Sequence, residues 1–125
     1  MSDDNKFTIG DTRHLTVTIT RAGAPVNLDD EDPELRFIAT GKHGTGTYGF
    51  TRDNLTPEGG ITTVDAEAGI VRISWAAAQT AGFPAIAKDK CIELTLELEM
   101  TTTAEGVETV PLSLTKLRAF GQLIV

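Results

Sequence analysis

One glycine-rich segment of the sequence matches the G-x-G-x-x-G spacing of loops that bind dinucleotides. The match runs from Gly44 to Gly49. In a nucleotide-binding protein this loop leaves a parallel strand and opens a helix, because the helix N-terminus holds the pyrophosphate. The residues that follow lack an apolar repeat at helical spacing and lead into Pro57 and a Gly-Gly pair, which disfavour a helix. The sequence therefore predicts that residues 41–49 form a mobile loop or bulged hairpin tip, which is a candidate contact surface.

Ser113 and Lys116 have the S-x-x-K spacing of the nucleophile and lysine in penicillin-recognising enzymes. In those enzymes the serine begins a helix, and companion motifs complete the site. Here the residues fall in a predicted strand, where positions three apart point to opposite faces of a sheet. His14 and His43 have no Cys or His neighbour at a metal-ligand spacing, and both are expected at the surface. The sequence therefore indicates no catalytic, cofactor-binding or metal-binding residue.

Five carboxylates occur within the six residues 29–34. Clustered carboxylate oxygens are ligands that Ca²⁺ prefers, so a cation site is one interpretation. The segment lacks the alternating D-x-D-x-D-G spacing and the distal glutamate of calcium-binding loops, so we favour a solvated acidic loop. Whether this loop holds a cation stays open from the sequence.

Composition and charge narrow the class of protein. The chain has 125 residues, the size of one domain, and a formal net charge of -7. Such an acidic surface repels nucleic acid and anionic lipid, so neither is an expected partner. Cys91 is the single cysteine, which leaves no intrachain disulfide and indicates folding in a reducing compartment; it is expected to be a small buried hydrophobe. No apolar run is long enough to span a membrane as a helix.

Alternating apolar and polar residues predict the secondary structure. In residues 92–100 every even position is apolar, whereas Glu93, Thr95, Glu97 and Glu99 occupy the odd positions. A strand places such a set on one face, whereas a helix would spread it around its circumference. Shorter patterns of the same kind predict strands at residues 7–9, 15–20, 35–40, 61–65, 70–75, 107–114 and 117–125.

One short helix is predicted near residues 75–81, with Ser74 as its N-cap and Gly82 as a left-handed residue after its end. Trp75 is in register with Val71 and Ile73, so a core anchor is favoured over an exposed platform for stacking a sugar. These elements predict an all-β fold, specifically an immunoglobulin-like antiparallel β-sandwich of about seven or eight strands. Residues 1–125 are expected to form a single domain.

The order of several short motifs is informative. The motifs are Gly10-Asp11-Thr12 before a threonine-rich strand, Gly23-Ala24-Pro25-Val26-Asn27-Leu28, Ala66-Glu67-Ala68-Gly69-Ile70-Val71, and Thr80-Ala81-Gly82-Phe83-Pro84. This succession resembles small β-sandwich domains of tailed bacteriophages, such as the N-terminal domain of upper-baseplate proteins and similar domains of tail and head fibres. One departure is that these domains usually carry a Gly and an aromatic residue after the Leu-Pro, where this chain has Ala85-Ile86-Ala87.

The resemblance implies a non-enzymatic structural protein of a virion. Such a protein assembles in the host cytoplasm and docks in multiple symmetric copies on tail, baseplate or capsid proteins, without a cofactor. A tail or baseplate adaptor and a capsid decoration protein both stay open. The alternative from another class is a β-sandwich module that binds carbohydrate or a cell surface. A small hydrolase has the least support, because no acid, base and nucleophile arrangement emerges.

Overall fold

A computed structural model describes residues 5–123 of the chain. Within this range 56% of the residues are in strands and 7% in helices, which confirms the all-β class. The strands are β1 (Lys6–Thr8), β2 (Arg13–Thr18), β3 (Thr20–Arg21), β4 (Ala24–Pro25), β5 (Glu34–His43), β6 (Gly46–Asp53), β7 (Ile61–Asp65), β8 (Ile70–Trp75), β9 (Cys91–Thr102), β10 (Gly106–Val110) and β11 (Lys116–Phe120). Two one-turn helices are α1 (Leu28–Glu31) and α2 (Ala77–Thr80).

The strands form two main sheets and one small hairpin. The larger sheet has the order β1-β11-β9-β5-β6, and β10 also pairs with β9, beyond the end of β11. The smaller sheet has the order β2-β8-β7, and β3 pairs with β4. Neighbouring strands are antiparallel except β1, which runs parallel to β11. The twelve-residue β9 is therefore the strand around which the larger sheet is built.

The prediction for residues 92–100 is confirmed. The five apolar residues at the even positions are buried, none more than 5% exposed, and they face the core. Burying each such side chain contributes roughly 1.5–3 kcal/mol, which exceeds the few tenths by which Glu and Leu favour a helix. Burial of one face therefore decides for a strand. Cys91 begins β9 and is half-buried, so its predicted full burial is wrong.

One hydrophobic core joins the two main sheets. Trp75, at the end of β8 in the smaller sheet, contacts three phenylalanines of the larger sheet. Its ring centroid lies 5.4 Å from Phe7, 6.1 Å from Phe37 and 5.0 Å from Phe50. Trp75 is 1% exposed, so the predicted core anchor is confirmed and no face of the indole is open for stacking a sugar.

The short helix is confirmed near its predicted place, but its caps differ. Helix α2 begins at Ala77, and Ser74 lies inside β8 instead of at the N-cap. The Gln79 side chain accepts a hydrogen bond from the Ala76 backbone N–H at 2.7 Å and so caps the helix start. Ala81 ends the helix with φ of -59°, and no left-handed residue is needed at Gly82. The serine prediction fails because strand pairing with β2 holds Ser74 extended.

Two of the predicted strands end earlier than predicted. The strand predicted at residues 107–114 ends at Val110, because Pro111 has no N–H to donate to the sheet. The strand predicted at residues 117–125 ends at Phe120. After it the chain pairs with residues 86–88, where Leu123 N donates to the Ile86 carbonyl at 3.1 Å. Residues 124–125 lie outside the described range.

The predicted count of seven or eight strands is lower than the eleven found in residues 5–123. The predicted strand at residues 7–9 corresponds to β1, so the strands without a prediction are β3, β4 and β6. Strands β3 and β4 have two residues each, which is too short for a residue pattern to reveal. The eight-residue β6 lies in the glycine-rich segment and its continuation, where a mobile loop or bulged hairpin tip was predicted.

Candidate contact surface

The glycine-rich segment forms the tip of the β5–β6 hairpin, which was one of the two predictions for residues 41–49. The register from Arg36–Asp53 to His43–Gly46 is continuous, so the hairpin has no bulge, and the alternative prediction of a mobile loop is wrong. Strand β5 extends to His43, the turn includes Gly44 with φ of +61°, and β6 begins at Gly46. A loop between two antiparallel strands does not offer a helix N-terminus to a pyrophosphate. The G-x-G-x-x-G spacing is therefore a feature of this hairpin.

Two glycines of the hairpin are needed for close backbone approach, one of the roles the sequence suggested for them. A Cβ atom added at Gly41 would collide with the carbonyl oxygen of Glu93 on β9. A Cβ atom at Gly49 would collide with the carbonyl oxygen of Ala39 on β5. Both collisions involve backbone, which cannot move aside without breaking strand pairing. These glycines serve packing of the larger sheet.

Ser113 and Lys116 form no catalytic pair. Ser113 lies in the bend between β10 and β11, not in a strand as predicted, and only Lys116 is in a strand. The Lys116 Nζ donates to the Glu93 carboxylate at 3.1 Å, so its ammonium group is already paired. The motif is a chance match in spacing.

The two histidines are exposed, as predicted, but His14 has a partner that the sequence did not reveal. Its Nδ1 lies 2.6 Å from the Ser74 hydroxyl, across the β2–β8 pair. The contact is on the exposed face of the smaller sheet, and neither residue lines any of the three hollows described below. It is a cross-strand polar pair of the kind that stabilises sheets. His43 ends β5 at the hairpin tip.

The acidic segment at residues 29–34 is more ordered than a solvated loop. Asn27 Oδ1 accepts hydrogen bonds from the N–H groups of Asp29 and Asp30 and starts helix α1. Glu31 forms an ion pair with Arg21, and Glu34 begins β5. Across residues 5–123 no group of three or more acidic, His or Cys side chains is arranged to hold a metal ion.

Arg21 links three elements that are distant in sequence. Its Nη2 donates to Glu108 Oε1 at 2.7 Å and its Nε donates to Glu108 Oε2 at 2.9 Å, while Nη1 donates to Glu31 Oε2 at 3.0 Å. The hydrogen bonds that Arg21 donates to Glu108 and, to a smaller extent, to Glu31 raise the pKa of Arg21 further above its already high value. The hydrogen bond from Arg21 lowers the pKa of Glu108. This cluster fastens β3 and α1 to β10, which is a structural role.

Three hollows in the surface have different chemical character. One of about 390 Å³ is mostly apolar and lies between α2, Phe83 to Ile86 and the final described residues. A second of about 540 Å³ lies beside β1, and its cations Lys6 and Arg13 have interactions of their own. A third of about 290 Å³ lies between β2 and residues 111–114, and its lining carries no charge. Neither the first nor the third hollow is lined by a titratable side chain that could act as an acid or base.

The larger sheet has six strands against three in the smaller sheet, and we call its outward face the charged face. Strand pairing sets its members, because successive side chains alternate between the core and the solvent. Its polar residues are Lys6 and Thr8 of β1, Glu34, Arg36, Thr40 and Lys42 of β5, Thr47, Thr51 and Asp53 of β6, Glu93, Thr95, Glu97, Glu99 and Thr101 of β9, Thr109 of β10, and Lys116 and Arg118 of β11. Each is exposed or half-buried.

Charges of opposite sign are separated along the strands of the charged face. One end, called the acidic half, carries four carboxylates and one arginine: Glu34, Asp53, Glu97, Glu99 and Arg36. The other end, called the basic half, carries four cations and one carboxylate: Lys6, Lys42, Lys116, Arg118 and Glu93. Sequence alternation identified the outward residues of β9, but not those of β6, which was not predicted as a strand. It also missed the separation of charge, because the two halves assemble from five strands in different parts of the chain.

Two of the exposed apolar side chains, Val107 and Leu55, lie near this surface. Val107, on β10, is 68% exposed and pairs with Thr101 of β9, at the acidic end. Leu55, 62% exposed, follows β6 at the same end.

No helix within residues 5–123 is long and apolar enough to cross a membrane. Comparison of the sequence with protein-family models gives no match, and comparison with curated proteins gives no significant similarity.

Proposed function

We propose that this chain is a non-enzymatic structural protein of a tailed-phage virion, built as an immunoglobulin-like β-sandwich that docks on tail, baseplate or capsid proteins in multiple copies. The observation that carries the proposal is the ordered set of four motifs that resembles phage β-sandwich domains. Two kinds of structural observation support it: the strand order, and the contacts among the motifs.

The strand order is that expected of an immunoglobulin-like fold. In variable-type domains one sheet contains the order B-E-D and the other the order G-F-C-C′. The smaller sheet here, β2-β8-β7, corresponds to the first, and β11-β9-β5-β6 corresponds to the second. The sheets share the core around Trp75. The family of domains that the motifs resemble has the same two-sheet architecture.

The four motifs contact one another in two pairs. Gly10 N donates to the Thr80 hydroxyl at 3.0 Å, which joins the first motif to the fourth. Leu28 N donates to the Ala66 carbonyl at 2.9 Å, which joins the second motif to the third. Segments separated by about 40 to 70 residues therefore meet at two places, as expected if they are parts of one fold signature and not independent turns.

The glycines of three motifs have a backbone reason to be there. Gly10, Gly23 and Gly69 adopt φ values of +95°, +83° and +72°, which side chains with a Cβ rarely tolerate. Gly69 is also packed so closely that a Cβ would lie 2.8 Å from the carbonyl oxygens of Ile19 and Val26. The backbone conformation at these three motif positions therefore favours glycine. This observation supports the proposed fold more directly than the proposed role in a virion.

Docking would act through surfaces, without chemistry on a substrate. A protein attached at many equivalent positions of a symmetric particle needs only modest affinity at each, because attachment is repeated. The charged face and the exposed Val107 and Leu55 supply polar and apolar contact area on a rigid sheet. These are the features expected of a subunit that fits against neighbours.

The test is the composition of the particle. Virions purified by density gradient from the phage that encodes this chain are expected to contain it in a fixed ratio to the major capsid protein, measured by quantitative mass spectrometry. Separating heads from tails before the measurement assigns it to capsid decoration or to a tail or baseplate adaptor. Presence in the infected-cell lysate together with absence from gradient-purified particles would overturn the proposal.

The carbohydrate-binding alternative has less support from the site. Sugar-binding modules stack ligands on exposed aromatic rings, whereas Trp75 is buried and the one tyrosine, Tyr48, packs against Phe83 at 6.1 Å. Selective, saturable binding of the purified chain on a glycan array would restore this alternative.

A further inference from the structure

We propose that two copies of this chain associate through their charged faces, related by a two-fold axis that lies between the faces and perpendicular to the strands. This orientation places the acidic half of each copy over the basic half of the other. The proposal does not depend on the virion role, since it follows from the distribution of charge on one sheet.

The net charges of the two halves make the face self-complementary. Counting each carboxylate as -1 and each Lys or Arg as +1, the acidic half has a formal charge of -3 from four carboxylates and one arginine. The basic half has a formal charge of +3 from four cations and one carboxylate. A two-fold interface uses the same patch on both partners, so a patch can pair with itself only when its opposite ends complement each other. Any two-fold axis parallel to the strands would set like charges against each other.

The proposed arrangement also works residue by residue. Packed sheets cross at about 30°. A strand of one copy that lies over a strand of the other copy at the axis is therefore displaced sideways by roughly one strand spacing at a distance of about 10 Å from the axis. With an offset of one strand, three sets of opposite charges meet across the interface: Asp53 over Lys42, Arg36 over Glu93, and Glu99 over Arg118. The same offset moves Glu97 toward Lys116. Two-fold symmetry then repeats every pair.

The ion pairs within one chain leave these side chains able to bind charges of a second copy. Lys116 and Glu93 lie 3.1 Å apart, and Arg36 and Glu99 lie 3.9 Å apart, so each of these pairs could extend into a larger network when the second copy adds its opposite charge. The side chains of Arg36 and Lys116 are both 60% exposed, which leaves them accessible. Around the axis the face carries Ile38, Thr40, Thr51, Thr95 and Gly49. Two charges lie beside them, because Glu97 is in register with Ile38 and Lys116 is in register with Thr95.

The size of the face suits a dimer. The face is about four strands wide at about 4.8 Å spacing. Strands β5, β6 and β9 have eight to twelve residues, and the five-residue β10 and β11 follow one another along the same edge of β9. At about 3.4 Å per residue the face covers roughly 600 Å² in plan on each copy. Accessible area exceeds plan area because side chains project from the sheet, so the pair reaches the lower part of the standard range of about 1,200–2,000 Å². An interface of this size held mainly by charge is expected to be weak to moderate and to depend on salt.

Sedimentation equilibrium of the whole chain tests the association. We expect a dimer at about 0.1 M salt, where screening over about 10 Å weakens the overall repulsion between two chains of net charge -7 more than it weakens contacts within the interface. At about 1 M salt, where charges act over about 3 Å, we expect dissociation toward monomer. A chain that stays monomeric at the lower salt concentration up to millimolar protein would overturn the proposal. So would a dimer that is equally stable at both salt concentrations, because charge would then not hold it.

Charge reversal identifies the face and the orientation. Glu99→Arg and Arg118→Glu each place like charges opposite one another twice, so each variant alone is expected to raise the dimer Kd by at least about tenfold. Mixing the two variants restores opposite charges at both contacts between positions 99 and 118, since each variant reverses the charge that the other retains. The mixture is therefore expected to form a dimer as tight as that of the unmodified chain. A merely destabilised fold would not be rescued by mixing.

The matched control is Arg72→Glu, which makes the same charge change as Arg118→Glu but on the exposed face of the smaller sheet. It is expected to dimerise like the unmodified chain. If Arg72→Glu weakens the dimer as much as Arg118→Glu does, or if the mixture of the two face variants stays monomeric, the proposed interface is wrong. Unchanged circular dichroism in all variants establishes that they are folded.

Discussion

Arg21 and Glu108, separated by 87 positions in the sequence, form a two-bonded ion pair in which Nη2 and Nε of the guanidinium face the two carboxylate oxygens at 2.7 and 2.9 Å. Arg21 belongs to the small β3–β4 hairpin, and Glu108 lies on β10 of the larger sheet. The parallel pair of bonds fixes direction as well as distance. A hairpin with only two residues in each strand is therefore held to the main body by side-chain contacts.

Weakening this ion pair from either side is expected to loosen the β3–β4 hairpin. Glu108→Gln keeps the shape of the side chain but removes the charge, and Arg21→Lys keeps the charge but removes the planar two-bond geometry. Both variants are expected to unfold at a lower temperature than the unmodified chain and to show faster amide hydrogen exchange in residues 20–25. Arg36→Ala, which removes the more exposed and longer Arg36–Glu99 pair, is expected to change the stability of the monomer by only a few tenths of a kcal/mol. Equal effects of the three changes would contradict this ranking.

The Arg21–Glu108 pair also predicts a dependence of stability on pH. Hydrogen bonding from Arg21 lowers the pKa of Glu108 from its ordinary value of 4.5. A carboxyl whose pKa is lower in the folded chain stabilises it fully above the unfolded pKa, and loses that contribution as pH falls through the folded pKa. Arg21 stays protonated throughout this range. The difference in melting temperature between the unmodified chain and Glu108→Gln is therefore expected to be largest near pH 7 and to shrink below pH 4.5. A constant difference from pH 7 to pH 2 would show that the charge of Glu108 is not the cause.

Trp75 is expected to tolerate phenylalanine better than a smaller residue. Its ring fills the space between the sheets, but its Nε1 is buried without a hydrogen-bond partner among the described groups. An unpaired buried donor costs about 1–3 kcal/mol, so Trp75→Phe loses packing but removes that cost. We expect Trp75→Phe to lose about 1 kcal/mol of unfolding free energy and Trp75→Ala about 3–5 kcal/mol. Urea unfolding followed by circular dichroism measures both. Near-equal losses would mean that the indole N–H does have a partner.

Gly49 and Gly82 are expected to respond oppositely to alanine. A Cβ at Gly49 collides with the backbone of Ala39 in the neighbouring strand, so Gly49→Ala is expected to cost about 1–3 kcal/mol. A Cβ at Gly82 meets nothing within 4 Å, and its φ is not left-handed, so Gly82→Ala is expected to be neutral or to stabilise by up to about 1 kcal/mol. Chemical denaturation of the two variants beside the unmodified chain decides the point. A stable Gly49→Ala variant would show that β5 and β6 can separate to admit the methyl group.

Alternation of side chains could be recognised without any structure. Residues 92–100 contain enough apolar residues at one spacing that only a strand buries them together, and the burial of all five confirms it. The same reasoning placed Trp75 in the core and found the strands at residues 61–65 and 70–75 with their observed bounds. Burial on one face is a local property of the pattern, so the sequence carries it directly.

The β6 strand shows where such reasoning stops. The Thr, Tyr and Phe residues of β6 favour a strand, but Gly46 and Gly49 disfavour one, and residues 41–49 were predicted to be a mobile loop or bulged hairpin tip. Pairing with β5 and contact with the backbone of Ala39 make glycine favourable there. Those partners lie in another strand, so the preference for glycine arises from tertiary contact and is invisible in the segment itself.

The sequence by itself determined the all-β class, the central strand and the inward tryptophan, because each depends on residues that are neighbours along the chain. Tertiary structure alone decided which charges meet. The Arg21–Glu108 pair, the His14–Ser74 contact and the division of the larger sheet into an acidic and a basic half all join residues from separate strands. The physical reason is that strand order and register bring these side chains together, and no residue pattern within a single strand specifies either.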